Sequence, residues 1–210
     1  MARWAPERRD TMHALAEELL QHYAHGRVVV GVDGPDTAVS VPFADDLAAE
    51  LRTLGHDTFR ASLADFQQPR ARRDARGAES AVALYEDGYD YSAFRRVLLG
   101  PFRLAGSTGF STAFFDARRD VVYESKWQTG PADAVLVVDG PYLLRSELRG
   151  IWNFTIRLDS VTPGAGPGAS PREDEAQALY KSEVGPLVSP SAIINIDDPT
   201  HPRQVFTDSC

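Results

Sequence analysis

A single cysteine in 210 residues, Cys210 at the carboxyl end, leaves no partner for an internal disulfide and no thiolate set for a structural metal. That usage suits a reducing, cytoplasmic setting. No apolar run approaches the ~20 residues needed to span a bilayer, and residues 1–10 carry several charges without the apolar stretch of a signal peptide. The expectation is a soluble chain with no membrane partner. Basic residues are the minority, 22 against 30 acidic, and the formal charge of −8 argues against general attraction to nucleic acid or anionic surfaces. No internal repeat is visible, which excludes solenoid and propeller designs.

What is present reads as one globular domain, 1–210, long enough to bury a core without a metal or disulfide staple. Met12, Leu15, Leu19 and Tyr23 share one helical face, with Asp10 placed to cap and Gly26 to stop the segment. Residues 27–33 are a β-branched apolar run of the kind buried on both faces of a sheet. After a turn at Gly34-Pro35, Pro42 is a good first helical residue for a helix through Phe43, Leu47, Leu51 and Leu54, ended by Gly55. A strand at 57–63 leads into a basic, irregular stretch, 67–77, with Arg70, Arg72, Arg73 and Arg76. Helices are expected at 78–86 and 91–99, paired strands at 110–116 and 121–124, and a buried strand at 132–139. A short helix near 142–149, a strand at 151–159, a helix at 173–183 and a strand at 191–197 follow. This alternation predicts an α/β fold of three layers, a mainly parallel sheet with helices on both faces. The Gly, Pro, Ala and Ser content of 161–172 marks a linker.

The turn after the first buried strand has the layout of a phosphate-binding loop, whose working pattern is G-x-x-x-x-G-K-[ST]. Here the eight residues are Gly34, Pro35, Asp36, Thr37, Ala38, Val39, Ser40 and Val41. Only the first glycine agrees. By this count Val39 stands where a glycine lets backbone amides curl around phosphates, Ser40 where a lysine neutralises them, and Val41 where a hydroxyl holds Mg²⁺. Asp36 adds a negative charge where a polyanion would lie.

Taken together, Val30-Gly-Val-Asp-Gly34, Phe43-Ala-Asp-Asp-Leu-Ala48, Ala64-Asp-Phe66, Pro69-Arg70 and Arg73 form a recognisable series. It continues through Tyr89-Asp-Tyr91, Pro101, Phe115-Asp116, Asp133 to Gly140, Leu143-Leu144, Trp152, Asn195 and Asp197-Asp-Pro199. The series resembles the uridine kinase-like family of P-loop nucleoside kinases, of the compact actinobacterial type, from about 27 to 159 and again from 190. The resemblance implies a P-loop NTPase-like fold. It also implies an activity, transfer of the γ-phosphoryl group of a nucleoside triphosphate to a sugar hydroxyl, aided by an aspartate in a D-x-F motif. Here Ala64 occupies that aspartate's place, and Asp65 would serve only with a shift of one residue. The arginine-bearing lid of the family is replaced by the Gly/Pro linker of 160–172 and an acidic helix with Glu173, Asp174 and Glu175.

The catalytic candidates are therefore Asp65 and Asp139, the latter either a remnant Walker B carboxylate or a cap for the turn that follows. Phe66, Arg70, Arg73, Tyr89 and Asp90 fit an acceptor pocket, the plain alternatives being core packing for the aromatics, a helix cap for Asp90 and a solvated face for the arginines. His22 and His25 lack a third metal ligand in reach, so no metal site is expected, and Cys210 reads as inert. Three functions stay in play. The first is a pseudokinase that binds a nucleoside or phosphate ligand with no cofactor. The second is a working enzyme, either a nucleoside kinase that uses Mg-ATP or another transferase, acting through relocated groups in the same crevice. The third is an interaction subunit, a homodimer through the first helix or the strand pair near Phe114.

Overall fold

The first strand, β1 (Val28–Asp33), is buried at all six positions and has a parallel neighbour on each side, β5 (Val135–Gly140) and β6 (Phe154–Asp159). β2 (Thr58–Ser62) lies outside β5, and β7 (Ala192–Asn195) outside β6, both parallel. β8 (Arg203–Val205), which the sequence reading did not include, adds an antiparallel edge, giving the order β2-β5-β1-β6-β7-β8. The computed structural model describes residues 6–124, 126–160, 170–184 and 189–206. Most of the Gly/Pro stretch, 161–169, and Cys210 lie outside them.

Alternate residues of the strands face two different layers, as the pleat requires. Val28, Val30, Val32, Val137, Ile156 and Ile194 pack under α1 (Arg8–His22) and α2 (Thr37–Thr53), against Leu15, Leu19, Phe43, Leu47 and Leu51. Val29, Leu136 and Val138 face Phe94, Leu98, Phe102 and Phe110 on the other side. The expected three-layer, mainly parallel α/β architecture is the observed one. Among the described residues no helix is long and apolar enough to cross a membrane.

Two helix starts differ from the sequence expectation. α1 begins with a capping box in which Glu7 and Asp10 serve each other's backbone, so Asp10 is inside the first turn rather than its cap. α2 begins at Thr37 and carries Pro42 in its interior. Asp36 caps it by accepting from the Ala38 N–H at 2.8 Å. Pro42 removes only one helical hydrogen bond, and the fully buried Phe43, Leu47 and Leu51 hold the helix to the sheet.

The basic stretch is one helical turn, α3 (Arg70–Arg73), followed by α4 (Ala81–Asp87). α5 (Tyr91–Ala93), a π-helical turn (Phe94–Leu99) and α6 (Gly100–Leu104) run on as one rod. The wider turn sits just before Pro101, whose ring cannot donate to the carbonyl of Val97. That carbonyl accepts from the Ser111 N–H at 2.9 Å instead, and so anchors the hairpin of β3 (Phe115–Asp116) and β4 (Val121–Val122). The helix expected near 142–149 shrinks to a 3₁₀ turn at Ser146–Leu148, and α7 (Pro171–Val184) packs against α4.

Candidate functional site

In a parallel α/β sheet the strand carboxyl ends open onto the crevice where ligands bind, and here that edge is lined with carboxylates. Asp139, near the end of β5, is completely buried. Its Oδ1 accepts from Arg60 Nη2 at 2.7 Å, and its Oδ2 from the Ser62 hydroxyl at 3.1 Å and the Ser40 hydroxyl at 3.4 Å. Arg60 also reaches Asp45 Oδ1 with its Nε at 2.9 Å. The strand-end carboxylate therefore already has a cation and two hydroxyl donors.

Ser40 changes how the turn after β1 must be counted. The motif count gives its place to a lysine and leaves the hydroxyl position to Val41, yet the side chain facing Asp139 is Ser40. The physical reason is the early start of α2, which follows Gly34 after only Pro35 and Asp36. Gly34 itself is needed for closeness, since a Cβ there would lie 2.9 Å from the Ser40 Cβ. Asp36 turns its carboxylate onto the first free amide of the helix. The residues from Gly34 to Val41 thus form a tight strand-to-helix junction.

Asp33 ends β1 in the same way and was not among the sequence candidates, although a carboxylate closing an apolar strand is the signal that singled out Asp139. It is 3% exposed. Its Oδ1 accepts from the Leu143 N–H at 3.0 Å and its Oδ2 from the Tyr180 hydroxyl at 2.7 Å. Burial pushes its carboxyl up to about 6, against the opposing pull of those two donors and of Arg157. The Tyr180 hydroxyl in turn accepts from the Leu144 N–H at 3.2 Å, so α7 is tied into the crevice.

Asp65 lies in a 3₁₀ turn, Leu63–Phe66, and is half-buried. Burial first, then the charges of Asp139 and Asp116, hold its carboxyl above the ordinary range. Among the described residues its carboxylate has no hydrogen-bond partner, while its carbonyl accepts from the Phe114 N–H at 3.0 Å. The neighbouring Ala64 donates its N–H to Ser62 Oγ at 3.3 Å.

Around Asp33 the crevice wall is aromatic. Tyr142 packs edge-on against Tyr85 at 5.2 Å, Tyr180 at 5.3 Å and Tyr89 at 6.5 Å between ring centres. Tyr142 has φ of 61°, a conformation costing a bulky residue on the order of 1–3 kcal/mol, and strain of this kind gathers at ligand sites. Arg145, 4% exposed, lies over the Tyr85 ring at 4.3 Å and pairs with Glu147. Tyr89 was a candidate from the sequence, but nothing in the pattern separated Tyr85, Tyr142, Arg145 or Tyr180 from ordinary core positions.

The expected acceptor pocket is spread over several environments. Phe66 is fully buried against Phe94, with ring centres 5.1 Å apart. Asp90 caps α5 through the Ala93 N–H at 2.8 Å. Arg70 is exposed, and its backbone N–H donates to Asp120 at 2.8 Å. Arg73 and Tyr89 are both partly covered. A separate cavity of about 290 Å³, lined by Leu143, Leu148, Gly150, Trp152 and Thr155, contains none of the candidates. Trp152 joins the two regions: its ring presses on Gly31, where a Cβ would lie 3.0 Å away, and its indole N–H donates to the Leu143 carbonyl at 2.7 Å.

No protein-family model matches the chain, and no curated protein sequence matches it. Solved structures do. A possible uridine kinase from Bacillus stearothermophilus superposes with a TM-score of 0.72 at 20% identity, covering 88% of this chain and 97% of that one. D-glycerate 3-kinase from Cryptococcus neoformans var. grubii superposes with a TM-score of 0.59 at 14% identity, covering 95% and 99%. With the strand order, the junction after β1 and the carboxylates at the strand ends, these likenesses show that the chain has the fold of the P-loop kinases.

Proposed function

We propose that this protein is a ligand-binding or regulatory pseudokinase of the uridine kinase-like type, one that holds a small molecule in the strand-end crevice without transferring phosphate. The observation that carries the reading is the Asp36 carboxylate on the Ala38 N–H at 2.8 Å. A triphosphate needs the free amides of that helix start and a cation beside them. Here the amide faces an acid, the turn is too short to wrap a phosphate, and neither Val39 nor Ser40 is a base. Asp139, the carboxylate that would help hold Mg²⁺, is paired with Arg60. These residues do not fit a magnesium-bound triphosphate. Isothermal calorimetry with MgATP is the test, with no binding expected at micromolar concentrations. A micromolar Kd would overturn the proposal.

One observation favours a second reading, a working kinase with relocated groups. The Asp65 carboxylate, without a hydrogen-bond partner among the described residues and raised above the ordinary range by burial, has the properties of a general base. Uridine, cytidine and D-glycerate incubated with labelled triphosphates test it. Turnover that vanishes in D65N supports this reading, and no turnover above a heat-treated control removes it.

A further inference from the structure

The cavity of about 290 Å³ beside Trp152 holds none of the crevice candidates, yet it has the makings of a site. Leu143, Leu144 and Leu148, all buried, line it together with the indole-bearing Trp152, which is only partly covered. An enclosure of about 150 Å³ walled by residues of this kind stays dry and takes up benzene. With roughly twice that space, this one has room for one ring or two fused rings.

Its charge is of one sign. Among the described residues that line the cavity, Arg149 is the only charged one, and its guanidinium has no hydrogen-bond or ion-pair partner among the described residues. The acid closest to it in sequence, Glu147, is already engaged, accepting from Arg145 Nε at 2.9 Å and Arg145 Nη2 at 2.5 Å. Thr155 and Ser189 bring hydroxyl-bearing residues to the same lining. Leucines with an indole suit a flat apolar ring. A single guanidinium suits one carboxylate, whose two oxygens its planar fork matches. A phosphate monoester, nearly doubly charged, would meet only one cation there.

We infer that this cavity is a second ligand site, separate from the strand-end crevice, for a flat aromatic monocarboxylate of one or two rings. Its wall is shared with the crevice. The Leu143 N–H donates to Asp33 Oδ1 at 3.0 Å, the Leu143 carbonyl accepts from the Trp152 indole at 2.7 Å, and the Leu144 N–H donates to the Tyr180 hydroxyl at 3.2 Å. The same two leucines line the cavity, so a ligand there bears on the stretch that holds Asp33. The inference does not rest on what fills the crevice or on the loss of phosphoryl transfer.

Calorimetry on the full chain tests it with four compounds. Benzoate and indole-3-carboxylate have both ring and charge, indole lacks the charge, and cyclohexanecarboxylate lacks the flat ring. The expected result is a Kd below about 1 mM for at least one aromatic carboxylate, with indole and cyclohexanecarboxylate weaker by about 10-fold or more. R149Q should weaken the aromatic carboxylate by about 10-fold, the loss of a charge-assisted hydrogen bond, and so bring indole-3-carboxylate down to the level of indole. Arg149 is exposed, so this variant keeps the fold. R72Q, at an exposed arginine outside the cavity, should bind as the native protein does. S189W, at an exposed lining position, should crowd out every compound. No binding of either aromatic carboxylate at millimolar concentration, indole bound as tightly as indole-3-carboxylate, or native affinity retained in R149Q or in S189W would overturn the inference. MgATP binding would remove the pseudokinase reading and leave this one standing.

Discussion

The Tyr180 hydroxyl donates to Asp33 across 147 residues of chain, at 2.7 Å, and so joins the last long helix to the end of the central strand. The hydroxyl also accepts from the Leu144 N–H. Replacing Tyr180 with Phe would leave both the carboxylate and that amide without this partner. Y180F should lose about 1–3 kcal/mol of stability by urea denaturation, with the ring packing against Tyr142 retained.

Asp33 should give the protein a pH dependence of definite sign. Its carboxyl is raised from 3.8 to about 6 in the folded state. The folded protein therefore binds more protons than the unfolded chain between those values, and stability falls as pH rises through that window, levelling off above it. Asparagine at 33 removes this slope. The melting temperature of D33N relative to the native protein should move upward between pH 4.5 and 7.5, by an amount equivalent to at most about 3 kcal/mol. A relative shift in the opposite direction would contradict the assignment.

Arg60 and Asp139 form a pair in which the acid is fully buried and the base 18% exposed. Removing the cation alone strands a buried charge. R60M should cost about 3–5 kcal/mol, whereas R60M/D139N should recover most of that loss. A double-mutant cycle in urea measures the difference.

At the start of α2 a change of charge can be separated from a change of structure. D36S keeps an oxygen able to cap the helix, so its stability should stay within about 0.5 kcal/mol of native. It also removes the acid from the first-turn amides. Inorganic pyrophosphate, followed by calorimetry, should bind more tightly to D36S than to the native protein.

The strands were readable because β1, β5 and β6 are apolar runs with few alternatives, and the three-layer arrangement follows from them. The start of α2 was not. Pro42 and Asp36 both signal a helix start, and the capping carboxylate prevailed because the buried face beyond Pro42 tolerates one missing hydrogen bond. That Ser40 faces Asp139 was hidden for a related reason: counting from Gly34 assumes a full-length loop, whereas α2 starts early. β8, with three residues and little burial, offered no pattern at all. The link from Tyr180 to Asp33 is made entirely by a distant segment. No local sequence rule could supply it.

Trp152 gives the protein an optical reporter of its own. The indole is wedged on Gly31 and bonded to the carbonyl of Leu143, the residue whose amide holds Asp33. Whatever displaces that short stretch must alter the polarity felt by the ring. Trp127 is 59% exposed and open to iodide. With Trp4 and Trp127 both replaced by phenylalanine, the remaining indole emission should follow occupancy of the crevice without any attached dye.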